Sequence, residues 1–208
     1  MTKVQLSHKE DTLPVMEMFY SLQGEGYHTG KAAFFIRIGG CDVGCNWCDV
    51  KESWNANCHP VISINKIISE LKKTPASTVV ITGGEPFLYN LNTLTGYLKK
   101  NKYYIHIETS GTVEPSGFID WICLSPKQKH KPLPFYLKNA HELKVIINND
   151  KDFHWAEQNA RKVNTNCKLF LQAEWSVEKK TLPIIIDYIK KNTQWALSLQ
   201  THKYLNIP

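Results

Sequence analysis

Thr78-Val-Val-Ile-Thr82-Gly83-Gly84-Glu85-Pro86 is a β-branched run that halts at two glycines, and residues 90–100 after it carry the spacing of a helix. β-branched side chains suit a pleated surface, and paired glycines suit a turn. Strand, polar turn and helix make the unit of a parallel sheet, because parallel strands need a crossover and the crossover is usually a helix. The unit recurs on both sides. Residues 33–38 read as a strand, and residues 63–73 as a helix with Ile64, Ile67, Ile68 and Leu71 on one face and Ser63 as N-cap. Residues 103–107, 121–124, 143–147, 168–172 and 195–199 read as strands; residues 152–162 and 182–191 read as helices. Roughly six or seven βα steps fit, whereas eight would close a full barrel of about 250 residues. At 208 residues the expectation is an α/β fold, an incomplete, open TIM-type βα barrel in a single domain over residues 1–208. A flat doubly wound sheet is the alternative. Both put function at the C-terminal ends of the strands, where residues 41–48, 82–86, 108–111 and 125–127 form polar clusters.

Composition narrows the class. Hydrophobic residues are 42% and charged residues 21% of the chain, enough apolar content for a core and too much for wholesale disorder. The longest apolar runs, such as residues 32–36 and 183–186, fall far short of the roughly 20 residues of a membrane span. Residues 1–11 are polar, without the apolar stretch of a secretory signal, so a cytoplasmic protein is expected. The net charge of +6 is spread over lysine pairs (Lys72-Lys73, Lys99-Lys100, Lys179-Lys180, Lys190-Lys191), most of them near predicted helix ends. A nucleic-acid binder concentrates its charge. A small anionic ligand fits this distribution better than nucleic acid.

Three of the six cysteines fall within eight residues, Cys41-Asp-Val-Gly-Cys45-Asn-Trp47-Cys48. Without an export signal, and with a core in prospect, disulfides are not expected. Cys123 and Cys167 lie in apolar strand segments and read as buried, inert thiols. Cys58 reads as an ordinary thiol in a polar loop. A compact trio on a glycine-bearing loop suits a four-iron cluster with one iron left open. Structural zinc, with Cys58 or His59 as fourth ligand, is the competing reading and would suit a nucleotide- or RNA-binding module.

Coupled to the turn Thr82-Gly83-Gly84-Glu85-Pro86, the trio resembles the radical S-adenosylmethionine (SAM) superfamily. Leu22-Gln23-Gly24-Glu25-Gly26, the strand carrying Arg37, residues 40–49, 79–86, 108–112 and 125–127, and the closing residues 199–208 extend the likeness over nearly the whole chain. Together they resemble the 7-carboxy-7-deazaguanine synthases. Glycyl-radical activases share the cysteine spacing but explain neither Leu-Gln-Gly-Glu-Gly nor the C-terminus. The resemblance implies rearrangement of 6-carboxy-5,6,7,8-tetrahydropterin to 7-carboxy-7-deazaguanine with loss of ammonia, in 7-deazapurine (queuosine) biosynthesis. A radical derived from SAM takes a hydrogen from the pterin C6, the ring contracts, and SAM is regenerated. The resemblance also implies a homodimer, a magnesium ion and an electron donor such as flavodoxin or ferredoxin.

By position, the resemblance assigns Cys41, Cys45 and Cys48 to a [4Fe-4S] cluster. It sets Trp47, Cys48, Asp49, Gly84, Ser125, Pro126 and Lys127 around SAM. Leu22, Gln23, Gly24, Arg37, Thr82 and the terminal Pro208 would hold the pterin, Arg37 matching a carboxylate with its planar fork and Pro208 offering a free carboxylate. Glu25 and Glu108 are weaker candidates for contacts to substrate and to the SAM ribose. One departure stands out. Many members of the family have Thr or Ser after Cys-Asp, where a hydroxyl helps bind magnesium; this chain has Val50. Magnesium demands oxygen ligands, so a weaker magnesium response is expected here.

Overall fold

The computed structural model describes residues 11–45 and 47–208; the reading of residues 1–11 as lacking a signal falls largely outside them, as does Asn46. Nine strands form one sheet. They are β1 (Thr12–Leu22), β2 (Ala32–Ile38), β3 (Val61–Ser63), β4 (Thr78–Gly83), β5 (Tyr104–Thr109), β6 (Trp121–Leu124), β7 (Glu142–Ile147), β8 (Lys168–Ala173) and β9 (Trp195–Ser198). The helices are α1 (Ile64–Leu71), α2 (Asn92–Lys100), α3 (Pro134–Asn139), α4 (Lys151–Ala160), α5 (Glu178–Lys191) and α6 (Thr201–Leu205). The strand order is β3-β1-β2-β4-β5-β6-β7-β8-β9. From β2 onward every pairing is parallel, and each new strand is added on the same side. A doubly wound sheet reverses direction partway, so this order excludes it and leaves the open barrel. β1 and β3 pair antiparallel at the leading edge.

The two faces of the sheet differ in chemistry. Ile36, Ile38, Val79, Ile81, Ile105, Ile107, Leu124, Leu143, Val145 and Leu171 point to the helices and join Ile67, Leu71, Leu94, Leu98, Ala156 and Ile185 in one core. With a period of two, the alternate residues fill the other face. There Ala33, Phe35 and Val80 make a small apolar cluster. Their neighbours on that face include His106, Cys123, Glu142, Lys144, Gln172 and Ser198, all buried. A closed barrel fills its interior with branched aliphatics; here much of that face is polar instead. Tyr27, in the turn between β1 and β2, stacks on Trp121 with ring centroids 5.0 Å apart, and His28 meets the same ring edge-on at 4.5 Å.

The departures from the sequence reading have local causes. Helix α5 starts at Glu178 rather than 182, because the turn Trp175–Val177 leads straight into it and leaves Pro183 inside. Lys179 and Lys180 therefore lie in its first turn, away from the C-terminal end that favours cations. Strands β1 and β3, α3 and α6 were not foreseen. Ser63 does cap α1, its hydroxyl accepting from the Lys66 N–H at 3.3 Å.

Candidate active site

The four polar clusters named from the sequence open on one cavity of about 480 Å³, a volume typical of small-molecule sites. The cysteine loop leaves β2 through Gly39 and Gly40. Gly40 sits at φ +103°, in the left-handed region that glycine tolerates. The loop is pinned by Gly40 N–H to Ser53 O at 2.6 Å and Cys41 N–H to Trp54 O at 3.1 Å. Cys41, Cys45 and Cys48 are free, half-buried and all on the cavity wall. Burial pushes the Cys41 and Cys45 thiols up, while the nearby Lys127 ammonium pulls Cys45 back. Among the described residues no three His, Cys, Asp or Glu side chains converge as ligands of a single metal ion would. Three thiolates that each take a different iron of a cluster need no such convergence, so the donor set fits a cluster.

Zinc's extra ligands are turned elsewhere. Cys58 is exposed on its own turn, Ala56–Cys58. His59 packs its ring on Gly39 and hydrogen-bonds the Glu52 carbonyl through Nε2 at 2.8 Å. Cys123 and Cys167 are buried, as read.

The Gly-Gly-Glu-Pro turn shows why each residue type is there. Gly83 adopts φ +117°. A Cβ on Gly84 would stand 2.1 Å from Gly40 O and 3.0 Å from the Cys41 Cβ. The turn thus lies directly against the cysteine loop, tied by Glu85 N–H to Gly40 O at 2.9 Å. Glu85 points inward, 1% exposed. It accepts from Thr109 Oγ1 at 2.7 Å and from Ser110 N–H at 2.8 Å and Oγ at 2.5 Å. Burial raises its pKa although these donors oppose that. Its function is to brace the end of β5 against β4.

On the facing wall, Lys127 donates to Ser125 Oγ at 2.7 Å and lies 5.2 Å above the Trp47 ring. Asp49 accepts from Gln200 Nε2 at 3.0 Å and Lys203 Nζ at 2.9 Å. These donors hold its carboxyl below the ordinary carboxylate range against the opposing effect of burial. They also tie the cysteine loop to α6. Arg37 pairs with Glu17 at 3.3 Å and lies over Phe19. The Gln23 amide is engaged at both ends, donating to Glu108 Oε1 at 3.1 Å and accepting from the Glu25 N–H. The His202 ring lies on Gly24, where a Cβ would come within 2.1 Å of Nδ1. Ile207 N–H returns to His202 O at 3.1 Å, and Asn206 at φ +53° turns the chain so that Pro208 reaches the cavity.

Of the residues named from sequence, Leu22, Gln23, Gly24, Arg37, Cys41, Cys45, Trp47, Cys48, Asp49, Val50, Thr82, Gly84, Ser125, Lys127 and Pro208 share this cavity, with Glu25 and Glu108. Pro126 lines instead a smaller adjoining cavity of about 230 Å³, which shares Cys45, Trp47 and Lys127 with the first. Val50 offers no side-chain oxygen, and its carbonyl already accepts from Ser53 Oγ at 2.7 Å. Sequence reasoning missed Lys144, Gln200, His202 and Lys203, all on the cavity wall. Lys144 had a signal: a cation inside the apolar run of β7, at strand parity with Glu142.

A family model for the Radical SAM superfamily matches residues 35–126. A protein of Flavobacterium psychrophilum named 7-carboxy-7-deazaguanine synthase is 56% identical over 200 residues, covering 96% of this chain and 95% of its own. An Escherichia coli protein of the same name is 35% identical over 221 aligned residues, covering 93% and 98%. A crystal structure of QueE from Escherichia coli superposes with a TM-score of 0.79 at 32% identity, covering 90% of this chain and 93% of that one. With its three clustered thiols and two-glycine turn on one cavity of an open βα barrel, the chain belongs to the 7-carboxy-7-deazaguanine synthase family of radical SAM enzymes.

Proposed function

We propose that this enzyme rearranges 6-carboxy-5,6,7,8-tetrahydropterin to 7-carboxy-7-deazaguanine, with loss of ammonia, in 7-deazapurine biosynthesis. One observation carries the reading: the cysteine trio, the Gly83-Gly84 turn, Arg37 and the Ser125–Lys127 segment all face one cavity, in a chain 56% identical to a protein of that name. The bound cluster and SAM supply the one-electron hydrogen chemistry, which is the cofactor's own. The chain binds, orients and excludes water. Cys41, Cys45 and Cys48 hold the iron. Gly84, lacking a side chain, lets the cysteine loop pack directly on the turn, whose main chain then borders the cavity. Trp47 and Lys127 cover the loop on one side, and Ser125 and Asp49 are held in place by the hydrogen bonds described above. Pro126 supports this wall from behind.

The substrate half is polar on several sides. Arg37 offers a planar guanidinium to the pterin carboxylate, and Glu25 and Glu108 accept from ring N–H groups. Because its amide is already engaged, Gln23 orients Glu108, while Leu22, Gly24, Thr82 and Pro208 shape the edge. α6, bound to Asp49 through Lys203, closes the opening against water. We further propose a cytoplasmic homodimer that takes electrons from flavodoxin or ferredoxin. With Val50 in place of a hydroxyl, a magnesium ion would be held by Asp49, a backbone carbonyl, the substrate carboxylate and water, or would be only weakly used. Turnover of metal-stripped enzyme should therefore rise only modestly on adding magnesium; a steep, absolute requirement refutes this.

Anaerobic incubation of the iron-reconstituted protein with the carboxypterin, SAM and a reductant tests the reading. Mass spectrometry should find 7-carboxy-7-deazaguanine with SAM undiminished. SAM breakdown without that product overturns it.

A further inference from the structure

Lys144 stands in the middle of β7 with its side chain only 3% exposed. Its Nζ donates to a Glu25 carboxylate oxygen and, at 3.0 Å, to Glu108 Oε2. The two carboxylates come from different elements, the loop after β1 and the strand β5. Each has its other oxygen occupied from the flank: Gln200 Nε2 donates to Glu25 Oε1 at 2.8 Å, and Gln23 Nε2 donates to Glu108 Oε1 at 3.1 Å. Lys144, Glu25, Glu108 and both glutamines line the main cavity.

A buried ion pair is weak evidence for stability, because desolvation cancels most of the attraction. An ammonium here therefore calls for another role. Two carboxylates on one ammonium leave one surplus negative charge facing the cavity. Glu142, Cys123 and His106 also face Lys144, Arg37 faces Glu108, and His202 faces Glu25.

We propose that Lys144 is a positioning residue for substrate recognition: its ammonium holds Glu25 and Glu108 together as an ionised pair of acceptors for the N–H donors of the pterin's aminopyrimidinone ring. This rests on the pterin reading above. Burial disfavours the charge on Lys144, but Glu108 and Glu25 outweigh it and keep the ammonium protonated well past its usual range. Burial likewise disfavours the Glu108 charge, and the Lys144 ammonium outweighs that. Without the ammonium, two carboxylates would share one buried site and one would take up a proton. The acceptor would then become a donor facing a donor.

The test compares Lys144→Gln and Lys144→Arg with the wild type in the reconstituted enzyme, measuring kcat and pterin KM from pH 6 to 9 and SAM binding alongside. Lys144→Gln should raise pterin KM about tenfold or more at pH 7, with SAM binding unchanged. The ratio of its KM to that of the wild type should fall as pH rises, because the shared proton leaves. Lys144→Arg keeps the charge, so its KM ratio should not move with pH even where its fit is poorer. A pH-independent ratio in Lys144→Gln overturns the proposal. So does a ratio in Lys144→Arg that falls with pH, and that arm still decides if Lys144→Gln fails to fold. With an active wild type, these outcomes bear on Lys144 alone; a wild type that converts no carboxypterin overturns the pterin reading and this proposal with it.

Discussion

At the scale of single residues, the six cysteines divide by environment. Cys45 lies half-buried on the cavity wall, whereas Cys167 is buried beside β8. Cys45→Ala should lose both iron and activity, and Cys167→Ser should keep both; iron content and turnover of the two variants check this. Gly84→Ala places a methyl where the Gly40 carbonyl stands, 2.1 Å away. Main chain cannot swing aside as a flexible side chain can, so a cost of about 1–3 kcal/mol is expected, together with weakened SAM binding measured by titration. Arg37→Ala should raise pterin KM about ten- to hundredfold, the range for hydrogen bonds to charged groups, and leave SAM binding nearly unchanged. A collapse of SAM binding with an unmoved pterin KM would reassign Arg37. The cysteines, Gly84 and Arg37 were legible in the sequence because motif residues are short-range signals. Glu85 was less so. Its place in the turn was plain, but its partners Thr109 and Ser110 lie on another strand, and no spacing rule joins them.

At the scale of elements, the strands that alternate with helices were readable because each carries its own period. Those from 121–124 onward agree to within a residue or two with the observed β6 to β9. Strand β1, which completes a hairpin with the readable β2, and the short α6 were not, since both take their shape from what they pack on. The turn between β1 and β2 lays Tyr27 and His28 against Trp121, and α6 is held by Asp49 through Lys203. This interior makes stability depend on pH. His106 is buried, with neither ring nitrogen hydrogen-bonded among the described residues, and its pKa lies well below 6.5, first through burial and then through His28, Lys144 and His141. Burial lowers His28 and His141 as well. Above about pH 6.5 these rings are neutral whether folded or unfolded, so they add no pH dependence. Below it the unfolded chain protonates a ring that the folded chain keeps neutral at His106, and stability falls by up to about 1.4 kcal/mol per pH unit for that one buried ring. Melting temperatures should therefore drop between pH 7 and 5.5. His106→Leu should flatten that slope by about one proton. An unchanged slope would mean that His106 is not held neutral.

For the whole molecule, the strand order follows from adding one parallel βα step after another on the same side of β2. That winding carries residues 41–48, 82–86, 108–111 and 125–127 to one end, although up to 86 residues separate them in sequence (127 − 41). The sequence showed these clusters at strand ends; only the common winding shows that they meet. The opposite wall, with Lys144, Gln200 and Lys203, was illegible because lysines and glutamines are ordinary surface residues until a fold buries them. Every role above depends on three thiolates holding an iron cluster with one iron open to SAM. Electron paramagnetic resonance of the anaerobically reduced, reconstituted protein, recorded with and without SAM, tests it most directly. The expected result is a four-iron signal whose shape changes when SAM is added and that is absent from Cys45→Ala. A colourless protein holding one tight zinc, or a cluster signal indifferent to SAM, would contradict it.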